Sequence, residues 1–171
     1  MTGSISARAG VGRAGDDADP AAEMRIHKEH LRLETKGSFE VIDITPDVER
    51  AVADAGIEEG FALVYSRHTT CGVILNERET GLLADLKGLL GRLVPEGDYY
   101  RHDDWEIRTE NMHPGETANA HAHLRQLIGG MASQCIPVSE SALQLGAWQR
   151  IMVIELDHDR DREILIQVCG V

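Results

Sequence analysis

The stretch Asn111-Met-His-Pro-Gly-Glu-Thr-Ala-Asn-Ala-His-Ala-His-Leu124 holds three histidines, two asparagines and a glutamate within fourteen positions. Two more histidines stand upstream beside small polar or acidic neighbours, in His68-Thr69-Thr70 and in Tyr100-Arg101-His102-Asp103-Asp104. Imidazole is the commonest metal ligand and the one side chain that ordinarily titrates near neutral pH. Five of the eight histidines thus lie in three short polar segments separated by apolar ones. That distribution predicts a metal or acid/base site assembled from distant parts of one domain.

Three histidines leave a coordination position open, the arrangement of a catalytic zinc site, and His68, His102 and His123 are the candidate ligands. If residues 120–128 are helical, Asn119 and His123 share a face, whereas His121 and His123 stand about 200° apart. His123 is therefore preferred to His121. Thr69 and Thr70 carry hydroxyls that orient an imidazole or bind an oxyanion. The carboxylates after His102, Asp103 first, raise its basicity or orient a ligating ring. Glu155 follows the apolar run Ile151–Ile154, on the face of Ile151 and Val153, where an unpaired carboxylate is costly. It either pairs with an arginine or belongs to the site. The residues expected to act in catalysis are His68, Asp103 and Glu155.

Asn76 and Glu77 are expected to touch substrate, as is Asn119, although Asn76 is also explained as a helix cap. Trp148 and Gln149 are read either as core plus a strand-edge amide or as a pocket wall. Cys71, after His-Thr-Thr, is better explained as a small buried thiol than as a nucleophile. The sequence has no HExxH, no phosphate-binding glycine loop and no GxSxG elbow.

These residues need elements to place them. Lys28–Leu33 and Phe39–Ile44 read as strands, and Thr45-Pro46 starts a short helix stopped by Gly56. Phe61–Ser66 delivers Arg67 and His68 at its end, and Gly72–Leu75 is a further strand. Asn76 with Glu79 resembles a capping box opening a helix from Glu77 to about Leu90, with a leucine stripe. Residues 91–118 lack a period and form a long polar loop. A third helix spans Ala120 to Ile128. Ser133–Val138, Ala142–Leu145, Gln149–Leu156 and Ile164–Cys169 are strands, the last two joined by the charged turn Asp157–Arg162. Clustered C-terminal strands favour an α+β fold over repeating βαβ units.

The chain has 171 residues, enough for one core. Residues 1–24 read as a disordered tail and 25–171 as a single domain. The tail lacks the roughly 7–15-residue apolar core of a secretory signal. No stretch approaches the roughly 18 apolar residues of a membrane span. Against 29 acidic residues stand 17 Lys and Arg, a formal charge of −12 that opposes nucleic-acid binding through phosphates. Three cysteines without CxxC spacing point to a reducing cytoplasm.

Taken together, His68-Thr-Thr-Cys-Gly-Val-Ile-Leu-Asn-Glu77, Tyr100-Arg-His-Asp103, Asn119-Ala-His-Ala-His-Leu124 and Leu145-Gly-Ala-Trp-Gln149 resemble the YjbQ family, over residues 25–171. The resemblance implies an α+β subunit with a mixed or antiparallel β-sandwich-like core and about three helices, assembled as a homotrimer. It implies a histidine-rich pocket that binds a divalent metal, zinc or magnesium, near the subunit boundary. Members of that family are often labelled secondary thiamine-phosphate synthases. The label describes condensation of hydroxymethylpyrimidine diphosphate with thiazole phosphate, releasing pyrophosphate. The expected partner is thus a phosphorylated small molecule. The alternatives are a metal- or ligand-binding trimer without turnover and a metal-assisted hydrolase.

Overall fold

In the computed structural model, which describes residues 23–171, the chain runs β1 (Arg25–Glu34), β2 (Val41–Asp43), α1 (Thr45–Ala55), β3 (Gly60–Ser66), β4 (Cys71–Asn76) and α2 (Thr80–Leu93). It continues through α3 (Ala120–Gly129), β5 (Ser133–Ser139), β6 (Ala142–Leu143), β7 (Arg150–Glu155) and β8 (Asp161–Gly170). The expectation for the tail lies, except for its last two residues, outside the described residues.

Alternation decides how the strands stack. Along β8, Ile164, Ile166 and Val168 are buried and the residues between them are not, so one face turns inward. β8 pairs with β1 along its whole length, from Arg25 opposite Gly170 to Glu34 opposite Asp161. Its other edge pairs with β3, and the sheet closes in the order β1-β8-β3-β5-β6. The second sheet is β2-β7-β4, and every pairing in both is antiparallel.

Ile151 and Val153 of β7 join Val73, Val64, Ile136 and the β8 side chains in the main core, which α1 completes through Val48 and Val52. The other face of β7 sends Ile154 against Leu90 of α2 and Ala122 of α3. A strand covered on both faces reads as a continuous apolar run, which is what Ile151–Ile154 is. The result is α+β: an antiparallel two-sheet core with three helices.

Cap chemistry differs from expectation at two helices. Glu79, not Asn76, caps α2, its carboxylate accepting from the N–H groups of Gly81 and Leu82 at 2.7 Å each. Asn76 instead ends β4 and its Oδ1 accepts the N–H of Glu77. Thr45 is the first residue of α1. Its hydroxyl accepts the Ile151 N–H at 2.8 Å, while Asp43 Oδ1 takes the Thr45 N–H. The strand expected at Phe39–Ile44 shrinks to three residues, because Phe39 adopts a left-handed φ of 64°.

One glycine contact matters for the site. A Cβ on Gly72 would lie 1.8 Å from the carbonyl oxygen of Gly130. Only glycine there lets β4 touch the segment that leaves α3.

Candidate functional site

Three connections and one helix end enclose a cavity of about 510 Å³. They are Arg67–Thr70 between β3 and β4, the loop 113–117, Asn119 and His123 at the start of α3, and the β7–β8 hairpin with Asp157, His158, Arg160 and Arg162.

His68 is anchored at both ends. Its N–H donates to Ser66 Oγ at 3.3 Å, and its Nε2 accepts the N–H of Glu163 at 2.9 Å. Burial, with Arg162 nearby, holds its pKa below the ordinary histidine value. The ring is therefore neutral at pH 7, with its proton on Nδ1. Thr70 is buried and its Oγ1 accepts from Arg162 Nη2 at 3.0 Å. Thr69 is exposed at the rim.

His123 stands across the cavity, its ring centroid 4.8 Å from that of His102 in an edge-to-face contact. Burial, then repulsion from His102, keeps its pKa low as well. His102 is reached by Glu116, whose Oε1 lies 3.8 Å from Nε2. Glu116 itself is clamped by Arg108 at 2.6 Å. Arg108 also donates to the carbonyls of His102, Glu110 and Asn111 and lies over the Trp105 ring. One arginine thus knits the polar stretch 102–116, which has no hydrophobic period to fold it.

Asp157 is the other hub. One oxygen accepts from Asn119 Nδ2 at 2.9 Å and Arg160 Nε at 3.1 Å, and the other lies 2.8 Å from His158 Nδ1. Burial alone raises its pKa. The bonds from Asn119 and His158 and the charge of Arg160 outweigh that, so Asp157 is ionised with a lowered pKa. By pattern residues 157–162 are a charged turn, and the fold makes Asp157, His158, Arg160 and Arg162 a wall of the cavity. Their signal is the density of Asp, His and Arg between two apolar runs.

The expected residues divide. His68, Thr69, Thr70, Asn119 and His123 line the cavity, and His102 backs His123. Asp103 faces α3 instead: its Oδ1 accepts the N–H groups of Asn119 and Ala120, both at 3.0 Å. Glu155 is fully buried behind the cavity, held by Arg162, by the Thr35 hydroxyl and by the N–H groups of Leu156 and Asp157. Those donors occupy the carboxylate, and the arginine alternative weighed for it is the one the geometry favours. His121 is buried and lies outside the cavity lining.

Asn76, Glu77, Trp148 and Gln149 lie at the far end of the second sheet. Cys71 of β4 is paired with Glu155 and Asn76 with Arg150. Strand rise separates those two ends by roughly 17 Å. Gln149 Oε1 accepts the Gly146 N–H within its own loop. Glu77 and Trp148 line a second cavity with Asp43, Arg78 and Arg150.

Among the described residues no three His, Cys, Asp or Glu side chains are arranged to hold a metal ion. His102 and His123 meet, but His68 Nε2 is already engaged by Glu163.

A model of the UPF0047 YjbQ-like proteins matches residues 29–171. This chain belongs to the YjbQ family. A UPF0047 protein of Archaeoglobus fulgidus is 39% identical over 137 residues, spanning 80% of this chain and 97% of that protein. A UPF0047 protein of Methanothermobacter thermautotrophicus is 37% identical over 148 residues, spanning 86% of this chain and 94% of its own length. Among solved structures, a YjbQ-type protein of unknown function from Sulfolobus solfataricus matches with a TM-score of 0.77 at 30% identity, covering 87% of this chain and all of that one. A hypothetical protein of Aeropyrum pernix matches at 0.72 and 32%, covering 84% and 98%. No helix among the described residues is long and apolar enough to cross a membrane.

Proposed function

We propose that this YjbQ-family chain is an enzyme acting on a phosphorylated small molecule, a transferase with thiamine-phosphate synthase-like activity. The observation that carries it is the cavity wall, where Arg67, Arg160 and Arg162 accompany the neutral imidazoles of His68 and His123. In a chain of net charge −12, three guanidinium groups meet in one recess, Arg67 paired with Glu163, Arg160 with Asp157 and Arg162 with Glu155, and their remaining N–H groups suit phosphoryl oxygens.

In the condensation, the bond between the pyrimidine methylene carbon and the diphosphate oxygen breaks, its electron pair leaving with pyrophosphate. The thiazole nitrogen forms the new bond to that carbon. Arginines facing the diphosphate stabilise the charge that develops on it. No proton transfer is needed in that balance, which suits a site where His68 and His123 are neutral. A metal is not assigned a step, since among the described residues no three side chains are arranged as its ligands.

A second reading, hydrolysis of a phosphate ester, is favoured by the Asp157–His158 pair. A carboxylate 2.8 Å from one imidazole nitrogen orients the ring as a base for water. The same protein incubated with both thiamine precursors, with and without zinc or magnesium, separates the two. Thiamine phosphate as product supports the transferase. Orthophosphate or pyrophosphate without the coupled product supports hydrolysis. Neither product would leave only the ligand-binding alternative. Arg160→Ala is expected to lower kcat/KM by about 10²-fold in either enzyme reading.

The assembly proposed is a cytoplasmic homotrimer. Exposed Leu93, Leu127, Ile128 and Met131 on and beside α2 and α3 supply apolar surface for it, and closed symmetry would cover that surface. The three free cysteines suit a reducing compartment. Light scattering giving the mass of one chain at micromolar concentration would refute the trimer.

A further inference from the structure

We infer that the molecule bound in this cavity donates a hydrogen bond from an O–H or N–H group to Asn119 Oδ1, making its substrate an anion that bears such a donor on the same small scaffold. The inference rests on the anion-binding reading above and adds a second recognition element to it.

Asn119 occupies the N-cap position of α3, where an asparagine oxygen commonly accepts a helix N–H. Here its side chain does no capping. Asp103 does that work from across the loop, accepting the N–H groups of Asn119 and Ala120. The Asn119 carbonyl accepts from Ala122 and His123, and Nδ2 donates to Asp157 Oδ2 at 2.9 Å. That last bond fixes the amide's orientation. An ionised carboxylate only accepts, so turning the amide over would set Oδ1 against the negative charge.

One atom is left over. Asn119 Oδ1 is buried without a hydrogen-bond partner among the described residues, in a residue that is 7% exposed and lines the cavity. Most buried side-chain polar atoms in folded proteins have a hydrogen-bond partner, from the protein, ordered water or a ligand, so an unmatched acceptor calls for an explanation. Cap, amide pairing and backbone are all accounted for, so the free acceptor has no remaining structural duty.

Its setting defines what it would recognise. Arg160 Nε bonds the same Asp157 oxygen at 3.1 Å. One carboxylate oxygen therefore holds both a cation and the amide carrying the acceptor, within the length of a small molecule. A phosphate on the arginine side and a hydroxyl or amino group at Asn119 would engage both. A ligand lacking the donor would bury Oδ1 unmatched and bind less well.

Calorimetry on the full chain with inorganic phosphate, glycerol 3-phosphate and n-propyl phosphate tests this. The two esters share their carbon count and differ in hydroxyls. Glycerol 3-phosphate is expected to bind roughly five- to tenfold more tightly than n-propyl phosphate. In Asn119→Ala the preference for glycerol 3-phosphate over n-propyl phosphate should vanish. Equal binding of the two esters by the parent protein, or a preference that survives in Asn119→Ala, overturns the inference and leaves the anion site standing. Failure of all three probes to bind overturns the anion reading and this inference with it. Should the alanine variant not fold, the Asn119 side-chain carbonyl ¹³C resonance of the parent protein decides. It should move with glycerol 3-phosphate and not with n-propyl phosphate, and identical responses overturn the assignment.

Discussion

The N–H of Glu163 donates to Nε2 of His68 at 2.9 Å. A residue of β8 thereby sets the tautomer of a histidine delivered by β3, and the ring presents a protonated Nδ1. Nitrogen NMR of the folded protein at pH 7.5 should show His68 as the neutral Nδ1–H tautomer. A spectrum with the proton on Nε2 would refute that placement.

Three histidines carry a pH signature. His68, His121 and His123 all have pKa values lowered in the fold from 6.5, burial being the largest cause in each. Between the folded values and 6.5 the unfolded chain binds more protons, so stability rises with pH there. The contribution of the neutral rings is complete above about 6.5 and drains away as pH falls below it. Asp157 acts lower on the scale, since its lowered pKa keeps its contribution intact until pH falls below the unfolded value of 3.8. Urea midpoints should therefore drop between pH 7.5 and 5.5, and His123→Gln should flatten that drop. An unchanged midpoint across this window would contradict the burial of these rings.

Arg162 and Glu155 form a buried pair, 3% and 0% exposed at the side chain, with Oε1 2.5 Å from Nη2. Glu155→Gln should cost about 3–5 kcal/mol, because it leaves a guanidinium uncompensated in the core. Glu155→Met with Arg162→Leu should cost less than either single change. Denaturant titration of the four proteins measures it, and additive losses would mean that the two residues do not act as a pair.

Asp103→Ala should cost about 1–2 kcal/mol by uncapping α3. It should also weaken phosphate binding, since α3 carries Asn119 and His123 to the cavity. Asp103→Asn, which keeps an acceptor, should recover much of the stability. A loss of catalysis in Asp103→Asn with stability and phosphate affinity intact would instead give Asp103 a direct chemical role.

Local pattern was enough to read much of this molecule. The apolar alternation of β8, the unbroken apolar run of β7 and the helical phase that separates His121 from His123 are properties of neighbouring residues, so they survive without knowledge of the fold. The family motifs likewise marked His68, Thr70, Asn119 and His123 as belonging together. What they could not supply was which long-range partner each polar group would meet. Asp103 reaches the end of α3 from sixteen residues away, Arg162 returns to Thr70 across the sheet, and Asp157 meets Asn119 through the hairpin. Trp148 and Asn76 share the motif order but sit at the other end of the β4–β7 ladder. Hydrophobic periodicity records the burial of β7 and β8, whereas on α3 Leu124, Leu127 and Ile128 are exposed and His121, Arg125 and Gln126 are buried. The pairing of buried charges depends on how sheets and loops close on each other, and the tertiary structure alone decides that.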